Sequence, residues 1–256
     1  MMKKRQLLLA IIVSLLLILI SSSTFADTEK PSLNTNKMYF YVGGTYKFTL
    51  KNASGSVTWS TANPDIATVS SKGKVKAKKK GVTTLIAKNK GKKYKCKIVV
   101  LSDKKFLSTW CKHWIKDYID QGTSPYDKVL ITGLYINTHF QYGKAEDALD
   151  VLKKGHGTCV SANKLFVEML KAMGFEAKIR FAANDDMSRY PAGITFMEEH
   201  HNVKVKINGK WYFTDATPGT PILYMSSKKE PVYYAGAFWG QWEVYIDKIP
   251  GHQKNN

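Results

Sequence analysis

Cysteine is scarce in this chain and odd in number: Cys96, Cys111 and Cys159 are the three in 256 residues. That excludes a disulfide framework and leaves at least one thiol free. His113, His139 and His156 stand at no metal-ligating spacing, so no metal is expected, and thiol chemistry requires no organic cofactor. Acid is missing where lysine is densest: Lys72 to Lys97 holds twelve lysines and no Asp or Glu. Long apolar runs are missing after the first twenty residues. Leu7 to Ile20, broken by Ser14, is short for a membrane span. Lys3, Lys4 and Arg5 precede it and Thr24-Phe25-Ala26 follows, the pattern of a secretory signal over residues 1–26 cut after Ala26. An uncleaved anchor is the alternative; after cleavage no spanning segment remains. The absence of a cysteine near the cut argues against a lipid-modified terminus.

What is present first is alternation. After a polar stretch at 27–35, read as a linker, Tyr46, Phe48 and Leu50 alternate with Thr45, Lys47 and Thr49. Tyr94, Cys96, Ile98 and Val100 alternate with Lys93, Lys95 and Lys97. A two-residue period buries one face of a strand. Gly43-Gly44, Asn63-Pro64-Asp65, Lys72-Gly73, Gly81 and Lys90-Gly91 punctuate the runs as turns. Residues 36–101 are therefore expected to form a small β-sandwich with Cys96 turned inward as a buried apolar residue. The ordered series Val42-Gly43-Gly44-Thr45, Val57-Thr58-Trp59-Ser60, Asn63-Pro64-Asp65-Ile66-Ala67-Thr68-Val69 and Gly73-Lys74-Val75 resembles the bacterial Ig-like domain of the second type. The resemblance implies a surface spacer or adhesive module without catalytic residues.

Residues 102–256 read differently. Phe106, Leu107, Trp110, Cys111, Trp114 and Tyr118 recur at helical spacing behind a Ser102 or Asp103 cap, with Cys111 on the apolar stripe. Further helices are expected at Pro125–Asn137 and Ala145–Lys153. Gly155-His156-Gly157-Thr158-Cys159 then leads into an amphipathic helix with Ala162, Leu165, Phe166, Met169 and Leu170 on its apolar face. Cys159 thus falls at a helix N-terminus, where unpaired N–H groups and the macrodipole favour the thiolate. A cysteine that merely starts a helix is the plainer alternative.

A base for that thiol appears downstream. His200 to Ile207 and Lys210 to Thr217 flank Asn208-Gly209, a strong hairpin signal. A two-residue turn sets Ile207 opposite Lys210, Val205 opposite Tyr212 and Asn202 opposite Asp215. By parity His200 shares a face with Asp215, and His201 points the other way with Val203 and Val205; a one-residue slip would reverse the choice.

Three blocks in order carry a second resemblance: Gly157-Thr158-Cys159 with its helix to Met173-Gly174-Phe175; His200 to Val205; and Gly209-Lys210-Trp211-Tyr212 with Asp215-Ala216-Thr217. Over roughly residues 105–220 the chain resembles the transglutaminase-like superfamily, which includes bacterial transglutaminase-like cysteine proteases. Phe140-Gln141-Tyr142 fits the usual lead-in, whereas Asn202 stands where the family has an aromatic residue. The resemblance implies an α+β, papain-like fold with the nucleophile at a helix N-terminus packed on an antiparallel sheet. It also implies a triad of Cys159 as nucleophile, His200 as base and Asp215 as the residue that orients it.

The expected protein is a secreted, extracellular or wall-associated thiol enzyme. It attacks an amide carbonyl of a protein or peptide through a thioester, as a protease, an amidase or an acyl transferase. A catalytically idle surface-binding protein is the competing expectation. The sequence does not separate water from an amine as the final acceptor. The lysines from 72 to 97 are expected to meet an anionic cell wall or glycan surface rather than a specific nucleic acid, with a plain solvated surface as the alternative. The aromatic tail from Pro218 to Asn256 is expected to complete the sheet.

Overall fold

The alternation between residues 37 and 101 becomes paired strands. A computed structural model describes residues 30–181, 200–219, 222–226 and 231–235, the last two stretches by backbone. The expected signal, residues 1–26, and the tail aromatics Phe238, Trp239, Trp242 and Tyr245 lie outside the described residues. The chain divides into two units, Met1–Val100 and Leu101–Asn256.

In the first unit, β2 (Lys37–Tyr41), β5 (Thr58–Thr61), β8 (Gly81–Asn89) and β9 (Lys92–Leu101) form a sheet of order β2-β9-β8-β5. A second sheet has the order β3-β7-β6, from β3 (Thr45–Lys47), β6 (Ala67–Val69) and β7 (Lys74–Ala77). The core between them holds Phe40, Phe48, Val75, Leu85, Cys96 and Ile98, all buried. Gly73, at φ +79, is required here. A Cβ would stand 2.6 Å from the Phe48 carbonyl oxygen, and the left-handed conformation disfavours other residues. The linker is shorter than the sequence suggests. β1 (Ser32–Leu33) pairs with β4 (Leu50–Lys51), because Leu33 packs on this core and Asn34 bonds both the Tyr46 hydroxyl and the Thr49 N–H.

The lysines that are contiguous in sequence do not form one patch. Lys88 on β8 and Lys93, Lys95 and Lys97 on β9 project from the four-stranded sheet, while Lys74 and Lys76 on β7 project from the three-stranded one.

The second unit begins with α1 (Asp103–Tyr118) and α2 (Pro125–His139), the latter capped by the Ser124 side chain with Pro125 in its first turn. α3 (Ala148–Lys154) starts three residues later than expected because the Asp147 carboxylate accepts the Asp150 N–H as its cap. α4 (Cys159–Ala172) is the central helix. Leu165, Phe166, Met169 and Leu170 on it are fully buried against Ala177, Val203, Val205 and Ile207. Those last four residues belong to β12 (Ala177–Phe181), which the sequence reading does not single out, and β13 (His201–Ile207). With β14 (Lys210–Thr214), β15 (Ile222–Ser226) and β16 (Pro231–Ala235) they form a five-stranded sheet in chain order, every pair antiparallel. The start of the tail thus extends the sheet. Cys111 is buried in the same core, which pushes its thiol up to about 12; burial pushes Cys96 up to about 11.

Candidate active site

The loop before α4 is built for close approach. β10 (Gln141–Tyr142) and β11 (His156–Gly157) pair in parallel just ahead of the helix. A Cβ on Gly157 would meet Val151 Cγ2 at 2.8 Å, so glycine lets this strand lie against α3. Thr158 is the N-cap of α4 in a capping box. Its hydroxyl accepts the Ser161 N–H at 3.3 Å, and Ser161 Oγ accepts the Thr158 N–H at 2.9 Å. Cys159 is therefore the first helical residue. Its N–H lies outside the reciprocal cap bonds, and no acid occupies the first turn.

The hairpin forms with the expected register: Ile207 faces Lys210 and Val205 faces Tyr212. Asn208 and Gly209 both have positive φ, 49° and 81°, as a two-residue hairpin turn demands. The pairing ends at Val203 and Thr214, one step short of the expected match between Asn202 and Asp215. This changes the geometry. Lys204 and Trp211 lie on the sheet face away from α4, with the Lys204 ammonium 4.4 Å from the indole centroid. Strict alternation would carry His200 and Asp215 onto that outer face. Both stand just beyond the strand ends, free of the pleat, and turn toward α4.

There His200 Nε2 lies 2.5 Å from Asp215 Oδ2, with both side chains largely buried. The other ring nitrogen, Nδ1, is left for Cys159, whose sulfur hydrogen-bonds the imidazole. His201 contributes differently. Its backbone N–H donates to the Cys159 sulfur, while its ring stands edge-on to Phe181 at 5.2 Å.

These contacts set the charges. The hydrogen bond from His200 holds the Cys159 thiol below its ordinary range, against the opposing effect of burial; the His201 N–H and the His200 charge add to the lowering. For His200, burial is the largest single influence and works to lower its pKa. The bonds and charges of Asp215 and Cys159 together outweigh it and raise the imidazole to about 9. Lowering the thiol and raising the imidazole both favour a thiolate–imidazolium pair over the neutral pair.

Asn163 was not singled out by sequence. It is fully buried one turn after Cys159. Its Nδ2 donates to Asp215 Oδ1 and to the His201 carbonyl, each at 2.9 Å, and its Oδ1 accepts the Ala216 N–H at 2.9 Å. Thr217 completes the carboxylate's shell, donating to Oδ1 from N at 2.9 Å and from Oγ1 at 2.6 Å. Asn137 on α2 fixes Thr217 in turn through its carbonyl, at 2.6 Å. The missed signal was a lone amide on the apolar face of α4. Asn202, where the family has an aromatic residue, is buried and accepts from Arg180 at 3.3 Å.

Residues 112–216 match the family model of the transglutaminase-like superfamily, and residues 33–99 match that of the bacterial Ig-like domain, group 2. The chain is a bacterial Ig-like domain followed by a transglutaminase-like domain. The transglutaminase-like match runs from within α1 to the residue after Asp215 and so spans Cys159, His200 and Asp215. Members of the transglutaminase-like superfamily are often cysteine peptidases or acyltransferases. The Ig-like domain points to a surface or extracellular protein. Among the described residues no helix is long and apolar enough to cross a membrane.

No curated protein matches the chain. Among solved structures it is similar to domains 4 and 5 of the S-layer protein SbsC at 19% identity and a TM-score of 0.25, over 29% of this chain and 52% of that one. It is similar to an EHEC O157:H7 intimin mutant at 10% identity and a TM-score of 0.28, over 82% and 93% of the two chains. The chain thus spans about half of the first of these and 13% of the SbsC fragment of domains 1–6.

Proposed function

We propose that the transglutaminase-like domain is a secreted or cell-surface thiol enzyme that attacks amide carbonyls of proteins or peptides, with Cys159 as nucleophile, His200 as acid and base, and Asp215 as orienter. The observation that carries this reading is the continuous contact from the Cys159 sulfur through the His200 ring to the Asp215 carboxylate.

The Cys159 thiolate adds to the carbonyl carbon. A C–S bond forms and the carbonyl electron pair moves to oxygen. The Cys159 N–H at the head of α4 is suited to hold that oxyanion. His200 Nδ1–H gives its proton to the departing nitrogen, the C–N bond breaks, and ammonia or an amine leaves a thioester behind. Water or a second amine then gives a proton to the same nitrogen and attacks the thioester. The C–S bond breaks and the thiolate returns. Asp215 keeps Nε2 protonated throughout, so that Nδ1 always faces the sulfur.

Incubating the mature protein with a glutamine-rich protein and an amine-tagged reporter tests this reading. Tag incorporation, ammonia release or cleaved fragments, each lost in Cys159→Ala, are the expected outcomes, and they separate transfer, amidase and protease activity. No product with any of a panel of surface proteins, together with slow alkylation of Cys159, would leave an idle binding protein.

A further inference from the structure

The net charge of the protein is concentrated in its first domain. Residues 30 to 100 hold sixteen lysines and a single acid, Asp65. The sandwich distributes them unevenly. On β9, the inner strand next to β2, Lys93, Lys95 and Lys97 occupy alternate positions and all are exposed. Alternate residues of a strand stand about 7 Å apart on one face. Lys88 on β8 lies directly opposite Lys93, and Lys37 on the flanking β2 is exposed as well. Among the described residues none of these five has a carboxylate partner. Lys88 and Lys93 are like charges directly across the ladder and repel, and an anion laid along the row offsets that repulsion.

We infer that the outer face of the β2-β9-β8-β5 sheet binds a linear phosphodiester polymer of the bacterial surface, of the polyol-phosphate kind. Its evenly spaced charges meet the lysine row of β9. The complementarity is one of charge and repeat, since a sheet face offers no cleft. Between the lysines, β8 and β9 present Val82, Thr84, Ile86 and Val99, and on β2 the Tyr39 ring lies 4.7 Å from the Lys37 ammonium. The other sheet carries only Lys47, Lys74 and Lys76 on its strands. The inference is independent of the thiol chemistry.

Binding of the full mature chain to poly(glycerol phosphate), and to duplex DNA, is measured as a function of salt. Two variants remove equal charge: Lys93→Gln with Lys95→Gln and Lys97→Gln, and Lys47→Gln with Lys74→Gln and Lys76→Gln. Thermal melting checks that both fold; arginine at the β9 positions should restore binding. The β9 triple is expected to weaken polymer binding roughly tenfold or more and to flatten the salt slope by about two to three. The opposite triple should change affinity less than about threefold. Equal losses in the two triples would mean diffuse attraction and overturn the inference. So would tighter binding of DNA than of the polymer, or no binding of the native chain at physiological salt.

Discussion

Asn163 and Asp215 are 52 residues apart in sequence and 2.9 Å apart at Nδ2 and Oδ1, and the same amide also grips the His201 carbonyl and the Ala216 N–H. One side chain on the helix that carries Cys159 therefore fixes both segments that complete the site. Helix α4 carries the sulfur, and four residues later it sets where the carboxylate stands. Asn163→Ala is expected to leave buried groups unpaired and cost about 1–3 kcal/mol. If Asp215 also shifts, turnover should fall on the order of 10²-fold with KM little changed. Urea melts and steady-state kinetics on one preparation separate the two effects. A loss of stability with full turnover would reduce Asn163 to a packing residue.

The three thiols should differ sharply toward an alkylating probe at pH 6. Cys159 is held down by His200, whereas burial pushes Cys96 to about 11 and Cys111 to about 12. Peptide mapping should find label on Cys159 first, and His200→Ala should remove its advantage. Label appearing equally at all three sites would contradict the ion pair.

Activity should follow a bell in pH. The acid limb reports protonation of the Cys159 thiolate, at a pKa below that of an ordinary thiol. The alkaline limb reports loss of the His200 proton near pH 9. Asp215→Asn removes the charge that supports the imidazolium, so the alkaline limb should move down and turnover should fall on the order of 10⁴-fold. Stability carries the same sign. A histidine raised from 6.5 to about 9 stabilises the fold fully below the lower value, and that share is lost as pH rises through the upper one. Thermal melts of native protein and His200→Ala between pH 6 and 10 should converge.

Gly157→Ala should destabilise by about 1–3 kcal/mol, because its Cβ would overlap Val151 Cγ2. Adding Val151→Ala should recover part of the loss. A single variant as stable as the native chain would show that the strand before α4 has room to shift.

The hairpin register was legible because Asn208-Gly209 allows few turns, and the fixed turn ties Val205 to Tyr212. The sandwich was legible because each run alternates. What sequence parity cannot carry is the end of the pleat. His200 and Asp215 each stand past the paired residues, so their direction is set by contacts with Cys159 and Asn163 rather than by alternation. The division of the lysine run between two sheets was not legible for a related reason. Residues 72–97 run through strands of two different sheets, and nothing local assigns β7 to one and β9 to the other.

The means of capping α4 has an electrostatic corollary. Each of the other described helices has an aspartate in its opening turn, Asp103, Asp127 or Asp150, and α3 is capped by Asp147 as well. α4 alone among them closes its end with two hydroxyls, Thr158 and Ser161. Neutral caps satisfy the backbone without placing a rival anion beside the sulfur. Negative charge at the head of that helix is then left to the Cys159 sulfur, which is held below its ordinary thiol range.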